Sequence, residues 1–296
     1  MTDTAIQRAP TGMENAPHEL GIFTGLTFQE YEAIDALNGS SLLNMRKSPM
    51  YYRFIKDNPK EQTEAMLLGT ATHRLILEPE RVGDFAVWGL NEEEKVRRGK
   101  VWEDFKERNS GKLLITAEQR DAMVGMAVTA RKNVPIMKYA GAKGACEVTM
   151  VWIDPDSGRV FKGRMDKLIA KGDVIFDLKT CRDCSKYRFG AQSYSLGYHI
   201  KMALYWQGYK ALTGKDAKLV IGAVESKAPH ESAVYRITSD VLLQGLEDMD
   251  VLIRRLEECE RTGLWPAAEP EELELTLPGY AFKEADDLSD LGLVEE

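Results

Sequence analysis

The spacing of apolar side chains predicts a series of helices in the first half of the chain. Apolar positions recur every three or four residues, as on the buried face of a helix. Serine residues suited to capping and prolines suited to a first turn or an ending mark the boundaries. The predicted helices begin near Ser40-Ser41, follow Ser48-Pro49, cover 63–78 up to Pro79, cover 91–108, and cover 117–140 with a bend or end at Pro135.

Near Glu147, the spacing of apolar side chains changes from every third or fourth residue, as in a helix, to every second residue, as in a strand. Apolar and polar side chains alternate from there, and turn residues at 154–158 and 171–172 separate the alternating segments. Strands are predicted at 147–153, 160–169, 173–179, 218–225 and 233–238, with helices at 192–212 and 239–262. This order predicts an α/β (α+β) fold, in which helices flank a central mixed β-sheet.

Composition and charge divide the chain into three parts. The segment 1–26 is polar, lacks a sustained period and is predicted to be flexible, and 27–265 forms the folded domain. The tail at 266–296 is acidic: residues 264–296 hold ten acidic side chains and one basic one. Because the whole chain carries −8, the remainder is close to neutral, and 159–188 is locally basic. The overall acidity therefore does not exclude a nucleic-acid partner.

No apolar run is long enough for a membrane span, and the N-terminus lacks a secretion signal. Four cysteines are too few for a disulfide framework, so a reducing compartment is expected. Cys181 and Cys184 have C-x-x-C spacing, but a zinc or iron–sulfur site needs four ligands. We therefore predict a cytoplasmic protein, and no metal cluster is assigned to these cysteines.

Two aspartates and a lysine in the predicted meander are suited to metal chemistry. Asp166 lies on the second strand, and Asp177 and Lys179 lie on the third. Side chains two positions apart share a face of a strand, about 6–7 Å apart. Carboxylates suit Mg²⁺, and a neighbouring ammonium can hold a phosphate or act on the attacking water. A surface ion pair has the same spacing, but VIFDLKT is apolar around Asp177, where unpaired charges are costly.

The ordered motifs resemble the PD-(D/E)xK nuclease superfamily and, within it, the exodeoxyribonuclease VIII family of phage-type recombination exonucleases with RecB-like motifs. The similarity covers about residues 30–225. The matching segments are NGSSLLNMRKSPMYYR, GTATHRLILEPE with His73, EVTMVWIDPDSGRVFKGRMD with Asp166, DLKT with Asp177 and Lys179, and SYSLGYHIKMALYWQGY with Tyr198, His199 and Tyr205.

The resemblance implies a restriction-endonuclease-like core and a Mg²⁺-dependent exonuclease, with Mn²⁺ as a substitute. Such an enzyme degrades one strand of a DNA duplex from its 5′ end and leaves a 3′ overhang for recombination by strand annealing. The resemblance also implies the site residues: His73, Asp166, Asp177 and the Leu178 carbonyl as metal ligands, Lys179 acting on the water, and Glu147 as a lesser candidate that holds a water at the metal.

The DNA-binding residues are predicted from the basic segment and the helix that follows it. Lys201 stands where the family usually has glutamine, so a charge replaces a neutral hydrogen-bonding group. Any of these cations can instead be a solvated surface residue, and the aromatic side chains have a helical spacing that also fits core packing. The predicted DNA-binding residues are Lys162, Arg164, Arg182, Lys186, Arg188, Tyr198, Lys201 and Tyr205.

The expected partners are ends of double-stranded DNA, a single-strand annealing protein and further copies of the chain in a homo-oligomeric ring, in a bacterial or phage-infected cell. Two other functions stay open at this point. One is a non-cleaving DNA-binding or assembly protein on a nuclease fold, although carboxylates facing phosphate disfavour it. The other is a PD-(D/E)xK endonuclease with the same metal chemistry.

Overall fold

Helices precede and follow a central group of strands in the computed structural model, which describes residues 6–8, 19–59, 63–91, 96–269 and 271–276. The strands are β1 (Gln7–Arg8), β2 (Gly21–Thr24), β3 (Leu37–Asn38), β4 (Phe85–Trp88), β5 (Leu113–Thr116), β6 (Ala145–Ile153), β7 (Val160–Ile169), β8 (Val174–Cys181), β9 (Lys218–Glu225) and β10 (Ser232–Arg236).

The α-helices are α1 (Phe28–Ala33), α2 (Gly39–Leu43), α3 (Pro49–Asp57), α4 (Glu64–Leu77), α5 (Gly99–Arg108), α6 (Ala117–Lys132), α7 (Val134–Ala140), α8 (Lys186–Ser195), α9 (Tyr198–Thr213) and α10 (Ser239–Thr262). Short 3₁₀ segments cover Asn44–Arg46 and Pro79–Asp84. In the described part of the chain, no helix is both long and apolar enough to span a membrane.

The large sheet has the order β1-β2-β6-β7-β8-β9-β10, and β3 joins it at β7. The pairs β1–β2, β3–β7 and β8–β9 are parallel, whereas β2–β6, β6–β7, β7–β8 and β9–β10 are antiparallel. The predicted α/β (α+β) fold with a central mixed sheet and flanking helices is therefore confirmed. The strands β4 and β5 form a separate parallel pair.

Both faces of the sheet are covered by apolar side chains. Trp152, Phe161 and Ile221 pack with residues of α9 and α10 on one face. Phe176 and Leu178 face the other side, where α4, α6 and α7 cover them. Because each large apolar side chain contributes about 1.5–3 kcal/mol on burial, these two layers hold β8 in the centre of the sheet.

Helix capping accounts for several boundaries that the sequence predicts. The Ser48 hydroxyl accepts a hydrogen bond from the Tyr51 N–H at the start of α3, and Thr63 caps α4 in the same way through Met66. The α2 helix is capped instead by Asn38, whose side chain accepts from the Ser41 N–H. The predicted helix at 91–108 begins only at Gly99, and residues 92–95 lie outside the described part.

Two of the predicted helices are each divided, the first close to the bend or end predicted at Pro135 and the second at a position that was not predicted. Asn133 ends α6 and caps α7, with Pro135 in the first turn of α7. The helix predicted at 192–212 is α8 and α9, joined at Leu196 and Gly197. Gly197 has φ of +69°, a left-handed conformation that interrupts a right-handed helix and turns the chain.

The prediction that residues 1–26 are flexible is wrong for β2. Gly21, Ile22 and Phe23 pair antiparallel with β6, and both apolar side chains are buried. A four-residue strand carries too short an alternation to be recognised. Residues 1–5 and 9–18, and residues 277–296 of the predicted acidic tail, lie outside the described residues.

Candidate functional site

A gap between two strands forms the backbone of the candidate site. On one edge of β7, β3 pairs with Phe161 and Lys162, and β8 pairs only from Lys167 onward. Between these pairings, residues 163–166 have no strand partner on that edge among the described residues. The Asp166 carboxylate fills the gap, because its Oδ2 accepts a hydrogen bond from the Leu178 N–H at 2.7 Å.

The α4 helix brings His73 to this gap. Its Nδ1 lies 3.3 Å from Asp166 Oδ2. One turn earlier, Gly69 also lies against β8, since a Cβ at Gly69 would be in van der Waals contact with the Thr180 Oγ1 at 3.6 Å. The two motifs GTATH and DLKT therefore meet in space, as the resemblance requires.

Asp177 and Lys179 complete the group from β8. Their carboxylate and ammonium form an ion pair, as their shared face predicts. The side chains are largely withdrawn from solvent, with exposed fractions of 4% for Asp177, 18% for Lys179, 16% for Asp166 and 18% for His73. The structure thus brings the four residues predicted from separate segments into one recessed cluster.

The ionisation of the cluster follows from its charges. Burial alone would raise the pKa of Asp166, but His73, Lys179 and the Leu178 N–H outweigh it and lower that pKa. Burial raises the pKa of Asp177, against the opposing effect of Lys179. Burial disfavours the charged form of Lys179, yet the two carboxylates raise its pKa above the usual value. The ammonium is therefore charged at neutral pH.

The donor set fits a divalent metal ion. It offers one imidazole and two carboxylates, and the Leu178 carbonyl lies beside them, 3.4 Å from Lys179 Nζ. The Asp177 Oδ2 is buried and ion-paired with the Lys179 ammonium. Two carboxylates and an imidazole that converge at one recessed point are ligands that a divalent ion accepts, and Lys179 offsets part of their negative charge.

Glu147 lies across from Asp166 but is engaged elsewhere. The pairs Cys146–Lys167 and Val148–Met165 flank it, so the register sets Glu147 opposite Asp166. Its φ is +52°, a conformation that is rare outside glycine and often marks functional sites. Its Oε2 accepts a hydrogen bond from Arg164 Nε at 2.6 Å. The proposed role of Glu147 in holding a water stays a prediction.

Two predicted DNA-binding residues are structural instead. The Lys162 ammonium is buried and donates to the carbonyls of Tyr31, Glu32 and Ile34, each at 2.9 Å, at the end of α1. Its three donors are used, so none is left for a phosphate. Tyr205 is buried, and its hydroxyl donates to the Arg164 carbonyl at 2.9 Å. The predictions that Lys162 and Tyr205 contact DNA are therefore wrong.

The other predicted DNA-binding residues differ in accessibility. Arg164 is mostly buried in its pair with Glu147, whereas Arg182, Lys186 and Arg188 are exposed around the start of α8. None of these three forms an ion pair with a described residue. They are free to meet an anionic partner.

Tyr198, His199 and Lys201 begin α9 beside the cluster. The Tyr198 ring centroid lies 5.5 Å from Lys179 Nζ. Burial, followed by the charge of Lys179, lowers the pKa of Lys201, and the two aspartates oppose the shift. His199 points away from the cluster: its Nε2 lies 2.9 Å from Asp248 Oδ2. The sequence did not single out Asp248, because it is one of many acidic residues on amphipathic α10.

Glu78 is a further acidic residue near the cluster that sequence reasoning missed. Burial raises its pKa, Arg81 opposes the shift, and the charge of Glu147 adds to it. The signal was present, since Glu78 lies within the segment GTATHRLILEPE that carries His73. A single glutamate in such a segment does not stand out from the many glutamates that are exposed to solvent, so it was not selected.

The C-x-x-C cysteines are free thiols in the described structure. Burial raises the pKa of Cys181 to about 12 and that of Cys184 to about 11, so both stay protonated at neutral pH. Ligand atoms of Cys184, Glu225 and Glu231 lie within 4.8 Å of one another.

Comparison with known proteins shows the family and the fold of the chain. A family model described as a PDDEXK-like domain of unknown function (DUF3799) matches residues 40–275. A crystal structure named "Putative exonuclease" from Eubacterium rectale superposes with a TM-score of 0.60 at 17% identity, covering 88% of this chain and 99% of that one. The structure of SSO0001 covers 69% of this chain and 84% of its own at 13% identity, with a TM-score of 0.27. No curated protein matches the chain in sequence.

Proposed function

The chain belongs to the family described as a PDDEXK-like domain of unknown function (DUF3799), and from this premise we propose that it is a metal-dependent exonuclease acting on double-stranded DNA. The superfamily is that of the PD-(D/E)xK nucleases, and a divalent metal ion is its general requirement. The finer proposal is a Mg²⁺-dependent enzyme that removes one strand from its 5′ end. The product is a 3′ overhang for recombination by strand annealing.

A single observation carries the proposal: His73, Asp166, Asp177 and Lys179 share one recessed cluster at the gap between β7 and β8. Two carboxylates and one ammonium that are largely withdrawn from solvent would be unfavourable in an ordinary core. Their juxtaposition with an imidazole is the arrangement needed to hold a cation against a phosphodiester. A metal ion, when bound, supplies a nucleophile at neutral pH and neutralises charge on the scissile phosphate.

The chain's own residues have separate roles in this proposal. His73, Asp166 and Asp177, with the Leu178 carbonyl, hold the metal. The Leu178 N–H and His73 fix the orientation of the Asp166 carboxylate through the contacts at 2.7 and 3.3 Å. The Lys179 ammonium is ion-paired with Asp177, so it lies where it can stabilise negative charge at the phosphate and assist the attacking water.

The exposed cations around α8 are proposed to hold the DNA backbone. Arg182, Lys186 and Arg188 lie within a short segment that follows β8 directly. Phosphate contacts of this kind release counterions, so DNA affinity should fall as salt rises. A second copy, a closed ring and an annealing protein are proposed as partners from the resemblance alone.

Digestion of a linear duplex and of a closed circular plasmid, each with Mg²⁺, tests the function. We expect loss of the linear DNA only, because an exonuclease needs an end. A 5′-labelled duplex should release its label as short products before a 3′-labelled one does. Cutting of both substrates would instead identify an endonuclease, and cutting of neither would identify a non-cleaving DNA-binding protein.

The Asp177→Asn variant tests the site. It keeps the size of the side chain and removes the charge that would hold the metal, so we expect cleavage to fall by about 10³-fold or more. Circular dichroism should show a folded protein. The control is Asp156→Asn, which changes an exposed turn carboxylate and should leave cleavage unchanged. Near-full activity of Asp177→Asn would refute the site assignment.

A further inference from the structure

A cavity of about 270 Å³ adjoins the candidate site. It lies between α8, the start of α9, β9, β10 and α10. Tyr198 connects the cavity to the candidate site, since it lines the cavity and its ring centroid lies 5.5 Å from Lys179 Nζ. One face of α8 forms a wall at helical spacing, through Lys186, Phe189, Gly190, Ser193 and Tyr194.

The walls of the cavity are planar rings arranged in two stacks. Phe189 and Tyr235 have ring centroids 4.8 Å apart and planes 18° apart. Tyr194 and His199 stack with centroids 5.3 Å apart and planes 17° apart. The Tyr194 side chain is nevertheless 61% exposed. A lining of this kind suits a flat aromatic ligand more than a flexible aliphatic one.

His199 is fixed in place within this apolar wall. Its side chain is 6% exposed, and its Nε2 lies beside Asp248 Oδ2, while Asp248 also accepts a hydrogen bond from Gln244 at 2.8 Å. Its Nδ1 is buried and not open to a ligand in the cavity. His199 therefore contributes the face of its ring to the wall.

Positive charge surrounds the same cavity. Lys186 and Arg236 line it, and both side chains are exposed. Neither forms an ion pair with any residue in the described part of the chain. They complement a ligand that carries phosphate. The lining therefore combines aromatic surfaces with cations.

We propose that this cavity binds the base of a nucleotide, with the phosphate held by Lys186 and Arg236. Bases of any identity stack on aromatic side chains, and the exposed ring of Tyr194 at the cavity wall offers such a surface. This deepens the proposed nuclease function and rests on it. The nucleotide comes from one of two sources: an unpaired base at the DNA end, or a free mononucleotide.

Fluorescence quenching of 2-aminopurine tests the proposal with the full chain in EDTA. One probe is 2-aminopurine deoxyribonucleoside 5′-monophosphate, and the other is a duplex with an unpaired 2-aminopurine at its 5′ end. Stacking quenches this base. We expect saturable quenching of at least one probe. Quenching of the monophosphate identifies a mononucleotide site, and quenching of the DNA probe alone identifies a site for the strand end.

Variants at two positions locate the binding. A Cβ built on Gly190 meets no atom within 4 Å, so Gly190→Ala keeps the cavity open, whereas Gly190→Leu fills it. We expect Gly190→Leu to weaken probe binding by about tenfold or more relative to Gly190→Ala. If Gly190→Leu does not fold, Tyr194→Ala against Tyr194→Phe provides the same comparison at an exposed ring.

The outcomes separate this proposal from the proposed function. Equal affinity in both members of each variant pair, or no saturable quenching with either probe, overturns the cavity assignment. If the wild type then still digests linear DNA with Mg²⁺, the nuclease function stands without it. Saturable quenching that Gly190→Leu removes, in a protein that digests no DNA, supports the cavity and overturns the nuclease.

Discussion

At the scale of single residues, the candidate site is almost neutral before any metal is added. Asp166 and Asp177 carry two negative charges, and Lys179 is positive. Lys201, half-buried nearby, adds a second ammonium at a position where the resemblance implies glutamine. Its electrostatic coupling to both aspartates and to Lys179 shows that it acts on the same cluster. An extra positive charge there opposes the binding of another cation.

We predict that Lys201→Gln binds divalent metal more tightly than the wild type, by about tenfold, because one repelling charge is removed. Titration calorimetry with Mn²⁺ in the absence of DNA measures this directly. Lys210→Gln, on the same helix but exposed and paired with Asp216 at 2.9 Å, should leave the affinity unchanged. Weaker metal binding by Lys201→Gln would refute the electrostatic argument.

Two lysines of the basic segment differ in their surroundings, since Lys162 is buried and Lys186 is exposed. Lys162→Met leaves three carbonyls without this donor, those of Tyr31 and Ile34 in buried hydrogen bonds, so we expect the free energy of unfolding to fall by about 3 kcal/mol. Lys186→Met changes an exposed side chain and should leave stability within about 0.5 kcal/mol. Urea unfolding checks both.

The effects of the same two variants on DNA binding should be the reverse of their effects on stability, so that Lys186→Met has the larger effect. We expect Lys186→Met to reduce the slope of log affinity against log salt by about one, whereas Lys162→Met keeps the slope. Fluorescence anisotropy of a labelled duplex in EDTA, over a salt series, measures it. A lower slope for Lys162→Met would mean that its ammonium reaches phosphate after all.

At the scale of secondary-structure elements, the turn between α8 and α9 positions both the cluster and the cavity. Gly197 starts α9 with φ of +69°, and a Cβ there would lie 2.4 Å from Leu43 Cδ2. The turn therefore packs against α2 as well as directing Tyr198 toward Lys179. Any shift of this turn displaces residues on both sides of the candidate site.

Gly197→Ala should destabilise the protein by about 2–3 kcal/mol, through left-handed strain and the overlap with Leu43. Gly214→Ala is the matched control, since Gly214 ends α9 at φ of +73° with no atom within 4 Å of a built Cβ. The control should cost only the strain, about 1 kcal/mol. Thermal unfolding compares the two, and equal losses would exclude a contribution from the Leu43 contact.

At the scale of the whole molecule, charge is separated along the chain. The segment 159–188 is basic, whereas residues 277–296 contain six acidic residues and one basic residue. A negative segment joined to a DNA-binding domain competes with phosphates for its cations. The effect should be strongest at low salt, because counterions screen it.

We predict that removing residues 277–296 tightens binding to a labelled duplex, by a factor that shrinks toward one as salt rises. Anisotropy titrations in EDTA measure the effect. A full-length chain with the tail acids changed to Asn and Gln is the control for length, and it should bind like the truncated chain. Unchanged affinity in both variants would exclude tail competition.

The sequence alone carries much of the local structure and the identity of the candidate site. Hydrophobic period and caps predict α3, α4, β7, β9 and α10 closely, because these elements are long and have clear boundaries. The motif order identifies His73, Asp166, Asp177 and Lys179 without coordinates. Short strands such as β2 escape prediction, since four residues carry too little periodicity and gain their stability from pairing with distant β6.

Only the tertiary structure decided which charged side chains are exposed near the site and which form buried hydrogen bonds that stabilise the fold. The sequence treats Lys162 and Lys186 alike, since both are lysines in one basic segment. Only the packing of α1 against β7 surrounds Lys162 with three carbonyls, and only the left-handed turn at Gly197 divides α8 from α9 and opens a cavity beside Tyr198. Burial and hydrogen-bond partners depend on residues more than a hundred positions away, so local pattern does not contain them.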